Sequence, residues 1–441
     1  MRINLTDNNI GQPNTGVFMR KDVAALFPIA DKTVAELCKE NENLLIFPYS
    51  IETTDDRVGD ASVMTILNTS DPDKVRITTN NVMGFIGVGD LQIKIQSRFD
   101  IGRDDFLLHY MLQRVLSFNL FDLNHNNEQE DVFDFVMFMF PYFLKSAMRQ
   151  GIYREYQNYR HNDTNIKGAI DVGMHIAKNI PFVGKMAYST REYSHDNDMT
   201  ELIRHTIEFM KTKKYGQAVL NIDRETKENV DAIVEHTPLY NKGERGSIIS
   251  KNLRLRMHPY YTEYRPLQTL CLQILRMEEV KYGESDDVIC GILFDGAWLW
   301  EEYVNTVLDG LGFTHAENKK HKNSIHLFEG GGGVRYPDFY KNDFVIDAKY
   351  KRLGSYEKVS KVDPDDVHQV MAYMTTLKAM RGGFVAPIMQ KQIKIPTAHL
   401  KDSVSTLSIF GIEICQTASS YGEFCEKMRD KEMAFVESLK L

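Results

Sequence analysis

Residues 334–350 read VRYPDFYKNDFVIDAKY, and this short segment constrains the chain more than any other. Two β-prone runs flank Asn342-Asp343, a dipeptide suited to the positive φ of a tight hairpin turn. With those two residues as the loop, Lys341 pairs with Phe344 and Asp338 stands directly opposite Asp347. Side chains alternate between the faces of a sheet. Asp338, Asp347 and Lys349 therefore share one face, and Phe339, Phe344, Ile346 and Ala348 share the other, which is apolar and suited to a core. Like charges directly opposite each other repel. Two carboxylates with Cβ atoms about 5 Å apart need a positive group between them, and a divalent cation supplies one. Carboxylate oxygen suits Mg2+ or Mn2+, so Asp338 and Asp347 are the candidate ligands. Lys349 points into the same space, placed to polarise a water or to stabilise a phosphoryl oxygen.

Two helices are predicted beside the hairpin. Upstream, Trp300, Val304, Val307, Leu308 and Leu311 form an apolar stripe with Glu301 at its edge, either a further oxygen ligand or a surface acid. Downstream, Asp363-Pro364-Asp365-Asp366 is a strong helix start, with Asp as N-cap and Pro at the first position. That helix carries Gln369 and Tyr373 four residues apart on one face. They are candidate hydrogen-bond donors to a phosphate or to the attacking water, or ordinary helix-surface polar groups. Strands at 382–388 and 404–414 and an amphipathic C-terminal helix complete an α/β sandwich.

A chain of 441 residues calls for two or three domains. The expected fold class is α+β multidomain. Residues 1–105 are β-rich, with Leu91, Ile93 and Ile95 alternating with Gln92, Lys94 and Gln96, and with one helix around 31–44. Gly84, Gly87 and Gly89 read as turns or bulges on the approach to that strand. Residues 106–280 are mainly helical, with an amphipathic stripe at 107–116, a helix over 130–150 containing Pro141, and a helix capped by Asp198. A polar, strand-like passage runs over 165–194. Residues 281–441 form the third segment, entered at Gly283-Glu284-Ser285.

Several chemistries are excluded. There is no GxxxxGK[ST], HExxH or GxSxG. The five cysteines contain no CxxC pair, so a zinc ribbon and a disulfide framework are not expected. The apolar run 135–144 is too short for a bilayer that needs about 20 residues, and the start MRINLTDNN has no apolar leader, so a cytoplasmic protein without membrane spans is expected. The net charge of −8 argues against a passive polyanion coat, although a local basic feature such as Lys319-Lys320-His321-Lys322 suffices for nucleic acid.

Pro337-Asp338 followed by Asp347-Ala348-Lys349 resembles the PD-(D/E)xK nuclease core, and Gln369-Val370-Met371-Ala372-Tyr373 resembles the QxxxY element of its RecB-like branch. More narrowly, the chain resembles the McrC family, the nuclease subunits of McrBC and LlaJI-type restriction systems. The matching stretches are GFIGVGDLQIKIQSRFD (84–100), GIYREYQNYRHNDTNIKGAIDV (151–172), DNDMTELIRHTIEFM (196–210) and WLWEEYV (298–304), the last placing Glu301 at the family's acidic position. The resemblance implies a C-terminal PD-(D/E)xK α/β nuclease domain at 281–441. Asp338, Asp347 and Glu301 would hold Mg2+ or Mn2+, Lys349 would serve the nucleophile, and Gln369 and Tyr373 would assist. It implies cleavage of double-stranded DNA beside an McrB-like AAA+ GTPase hexamer, which the N-terminal half would contact and stimulate. One hairpin per chain cuts one strand, so double-strand cleavage would need two nuclease domains. Two rivals remain: a stand-alone RecB-like nuclease and a non-catalytic adaptor that stimulates an NTPase.

Overall fold

The structure, a computed structural model, describes residues 2–10, 16–41, 44–48, 62–88, 91–100, 105–116, 132–213, 215–254, 258–281, 289–316 and 322–440, without the side chains of 132–135, 277–281 and 289–290. Lys319-Lys320-His321, Gly89 and Gly283-Glu284-Ser285 lie outside the described residues. The chain forms two units: residues 1–132 with 283–441, and residues 133–282.

In the first unit, a five-stranded sheet has the order Arg2–Thr6, Leu91–Gln96, Val82–Val88, Ile289–Asp295, Leu44–Phe47. The outer pairs are parallel and the inner ones antiparallel. Leu5, Ile46, Ile86, Ile93, Ile95 and Leu293 meet in one buried cluster, which also takes Val75 and Ile77 from a neighbouring three-stranded sheet. The expected alternation along 91–96 is present, but Lys94 on the other face is also buried, at 5% exposure. Its ammonium lies 5.7 Å from the Phe85 ring centroid. Gly84 is not a turn. It sits inside the strand Val82–Val88, paired with Ile95 on one side and Leu293 on the other. A Cβ there would lie 2.2 Å from the Ile292 carbonyl oxygen, so only glycine lets the two backbones meet.

A six-stranded sheet follows in the same unit, with the order Thr314–His315, Phe339–Lys341, Phe344–Ala348, Arg381–Ile388, Thr406–Glu413, Thr397–His399. Its three central strands, Phe344–Ala348, Arg381–Ile388 and Thr406–Glu413, run parallel. Parallel strands are covered on both faces. The helix Pro364–Leu377 packs Val370, Tyr373 and Met374 with Val345, Phe384 and Leu407. On the opposite face Phe344 meets Phe410, and the C-terminal helix Tyr421–Ser438 lies against the strand Thr406–Glu413.

The second unit contains the long helix Val132–Met148 with Pro141 inside it, followed by Asp198–Met210, Arg224–His236 and Tyr264–Lys281. The cap of the helix Asp198–Met210 is Asn197, whose side chain accepts from the Met199 and Thr200 N–H groups; Asp198 is its first residue. The passage expected as strand over 165–194 is mixed. The strands Glu155–Asp163, Ala169–Ile170 and Met186–Ser194 form a sheet, and the helix Val172–Asn179 packs on it. Val172, Ile176, Ile180, Phe182 and Val183 are exposed. No described helix is long and apolar enough to cross a membrane.

Candidate active site

The hairpin forms with the register its turn dictates. Asn342 has φ 41°, Lys341 pairs with Phe344, and Phe339 pairs with Ile346. The ladder ends at Phe339, one residue short of Asp338. There the Asp338 carbonyl turns to the neighbouring strand and accepts from Ala316 N at 3.3 Å. Its side chain replaces the missing rung, with Ala348 N donating to Asp338 Oδ2 at 2.7 Å.

This places Asp338, Asp347 and Lys349 in one cluster. Asp347 is 1% exposed, and its Oδ1 has no hydrogen-bond partner. Lys349 Nζ lies 2.7 Å from Asp347 Oδ2 as an ion pair. Burial and the Asp338 charge push the Asp347 carboxyl up to about 7, against the pull of Lys349. Burial also raises Asp338, with Lys349, the Ala348 N–H and His315 opposing it. Burial disfavours the Lys349 cation, but Asp347, Asp338 and Asp366 outweigh it and hold its pKa above the ordinary lysine value.

The helix Pro364–Leu377 closes the cluster from one side. Asp363 caps it, accepting from Asp365 N, and Pro364 takes the first position. Gln369 Oε1 lies 3.4 Å from Lys349 Nζ, and Gln369 Nε2 donates to the Tyr373 hydroxyl at 3.0 Å. Two residues here were not singled out from sequence. Asp366, read only as a helix-start acid, lies 3.3 Å from Lys349 Nζ and accepts from Lys351 Nζ at 2.6 Å. The spacing 366, 369, 373 puts all three on one helix face and was the available signal. His315 donates from Nδ1 to the Asp338 carbonyl at 2.9 Å, and its Nε2 is 3.8 Å from both Glu301 and Glu302. Burial opposes the His315 cation, yet Glu302 and Asp338 outweigh it and raise its pKa. Glu301 thus stands on the His315 side of Asp338, on the helix Gly296–Leu308, whose Trp300, Val304 and Leu308 are buried.

Among the described residues no group of three or more His, Cys, Asp or Glu side chains is gathered for a metal ion. A buried carboxylate with an unpartnered oxygen, Asp347, beside the half-buried Asp338 still fits Mg2+, which binds through one or two carboxylates and keeps several waters. It does not fit zinc, which takes nitrogen and sulfur ligands.

These features define a mixed α/β multidomain protein with a buried cluster of acids around one lysine. The family model described as McrBC 5-methylcytosine restriction system component matches residues 77–387, more than half of the chain. The chain belongs to that family and is a component of this kind of restriction system. Its fold is similar to a chain of the refined half-complex from the tetradecameric assembly of Thermococcus gammatolerans McrB AAA+ hexamers with bound McrC. That match has 13% identity and TM-score 0.51 and covers 98% of this chain and 100% of that one. A second match is to the cryo-EM structure of the Thermococcus gammatolerans McrBC complex, at 16% identity and TM-score 0.32, covering 70% of this chain and 87% of that one. The comparison with curated proteins gives no match.

Proposed function

We propose that the chain is the McrC-like, DNA-cleaving subunit of its restriction system, an Mg2+- or Mn2+-dependent endonuclease built on a PD-(D/E)xK core. One observation carries this: Asp347 is buried beside Asp338, with its Oδ1 unpartnered and its Oδ2 met by the Lys349 ammonium at 2.7 Å. Such a group costs about 1–3 kcal/mol or more when left unsatisfied, so a fold that holds it there is organised for something besides its own stability.

Asp338 and Asp347 would hold the cation, with Glu301 as a further acid on the His315 side. When bound, the cation supplies charge neutralisation for a phosphodiester and Lewis-acid assistance to its hydrolysis. Asp338 is fixed by its bond from Ala348 N, so its second oxygen is left to face the site. Lys349 is held by Asp347 and Asp366, which keep it protonated and aimed at the place a phosphoryl oxygen would take. Gln369, positioned by Tyr373, sets the far side of Lys349 and can orient a water.

The partner under this reading is an McrB-like AAA+ GTPase hexamer. Residues 1–105 are the expected docking part, and the exposed Val172, Ile176, Ile180, Phe182 and Val183 of the second unit offer a further apolar surface. Two such chains would be needed to cut both strands. The test is cleavage of 5-methylcytosine-containing plasmid by the chain with its partner, GTP and Mg2+. Asp347→Ala and Lys349→Ala should each lower cutting by about 100-fold or more while partner GTP hydrolysis stays stimulated. Cutting by both variants at the wild-type rate would show that the site is elsewhere. Cutting by the chain alone would favour the stand-alone nuclease. Stimulation with no cutting by the wild type would favour the adaptor.

A further inference from the structure

One residue past Lys349, the chain enters a buried polar junction in the same unit. Asp7 and Arg98 each follow a strand of the five-stranded sheet, and those strands are parallel neighbours with Thr6 beside Gln96. Asp7 and Arg98 therefore emerge at the same end. Arg98 N donates to Asp7 Oδ1 at 2.6 Å, and Arg98 Nη1 donates to Asp7 Oδ2 at 2.6 Å and to Asn81 Oδ1 at 2.7 Å. Arg98 Nη2 donates to the Tyr350 carbonyl oxygen. The guanidinium also lies 4.5 Å from the centroid of the Tyr350 ring, and the Tyr350 hydroxyl is 2.7 Å from Ser97 Oγ. Arg98 is 8% exposed and Asp7 0%.

The same junction grips the helix that carries Glu301. Gly296 N, at the start of that helix, donates to the Asn81 carbonyl at 2.7 Å. Gly296 faces the Tyr350 ring so closely that a Cβ would lie 2.8 Å from it. On the other side of Tyr350, Lys349 N donates to the Val385 carbonyl at 2.8 Å.

We propose that Arg98 is a positioning residue for the Asp347–Lys349 cluster. It fixes the backbone just beyond Lys349, and, through Asn81, the start of the Glu301 helix, against a sheet that itself contributes no group to the cluster. This rests on the reading of the cluster as a cleaving site. A buried ion pair is a weak source of stability, because desolvation offsets its attraction. Its fork geometry, with several bonds in fixed directions, is what a lysine or an apolar side chain cannot reproduce. Displacing reacting groups by about 1 Å can cost about 100-fold in rate, so a small relaxation of this junction reaches the chemistry.

The test uses the full chain assembled with its AAA+ partner on 5-methylcytosine-containing plasmid at saturating Mg2+. The folded fraction of each variant is read by circular dichroism at the assay temperature. Arg98→Met keeps the apolar stem and loses the fork. Its kcat should fall about 10- to 100-fold with the KM for DNA within about twofold of wild type. Arg98→Lys keeps the charge facing Asp7, should fold fully, and should show a kcat about 3- to 10-fold lower. The role is overturned if Arg98→Lys cuts at the wild-type rate, or if kcat falls only as far as the folded fraction falls. Asp347→Ala separates the two claims. If it cuts normally, the cleaving reading itself fails; if it is dead while the Arg98 variants cut normally, only the positioning role fails.

Discussion

The Asp347 carboxylate shows how far a local pattern carries. A period-two strand and an Asn-Asp turn were enough to put Asp338, Asp347 and Lys349 together, because hairpin register follows from the turn alone. His315 and Asp366 were not legible in the same way. His315 meets the cluster through a neighbouring strand whose packing no local pattern states, and Asp366 shows itself only through its helical spacing to Gln369 and Tyr373. The cluster also makes a stability prediction. Lys349 faces three acids, Asp347, Asp338 and Asp366, so removing one acid leaves it paired. Asp347 is raised from 3.8 to about 7 in the folded chain, so its contribution is full below about pH 4 and is lost as pH rises through 7. In EDTA at pH 8, Asp347→Asn should therefore be more stable than wild type by about 1–3 kcal/mol, and the gap should close by pH 4. Urea denaturation at the two pH values measures it; a variant less stable at pH 8 would mean the carboxylate is not under strain.

At the scale of elements, periodic segments were readable and glycine was not. The stripe at 107–116 and the helix start at Asp363-Pro364 follow from apolar spacing and a cap, and the structure has Phe106–Leu116 and Pro364–Leu377. Glycine breaks many patterns, so Gly84 reads from sequence as a turn or a bulge. Its actual reason is a strand about two hundred positions later, Ile289–Asp295, whose backbone passes too close for a side chain. Lys94 departs from the same pattern: it sits at a polar position of the alternation and is nevertheless 5% exposed, beside the Phe85 ring. Gly84 has φ 131°, a conformation that strains any other residue. Gly84→Ala should cost about 3 kcal/mol or more, read as a lower urea midpoint or as insoluble expression. A variant as stable as wild type would mean the two strands can separate without penalty.

Over the whole molecule, connections between distant segments escape a reading by composition. Residues 1–132 and 283–441 share one unit, with Ser97 bonded to Tyr350 and Glu432 accepting from both Tyr110 and Tyr303. No sequence period announces such pairings, because they depend on which buried polar groups find each other once the sheets pack. That arrangement brings the five-stranded sheet up behind a pair of carboxylates that repel each other, in a chain whose net charge is already −8. Such a pair is kept for a divalent cation. The most direct measurement is Mn2+ binding by calorimetry at pH 8, wild type against Asp347→Asn. One site per wild-type chain is expected, lost in the variant; equal binding by both, or none by the wild type, would overturn the assignment of the pair to a cation.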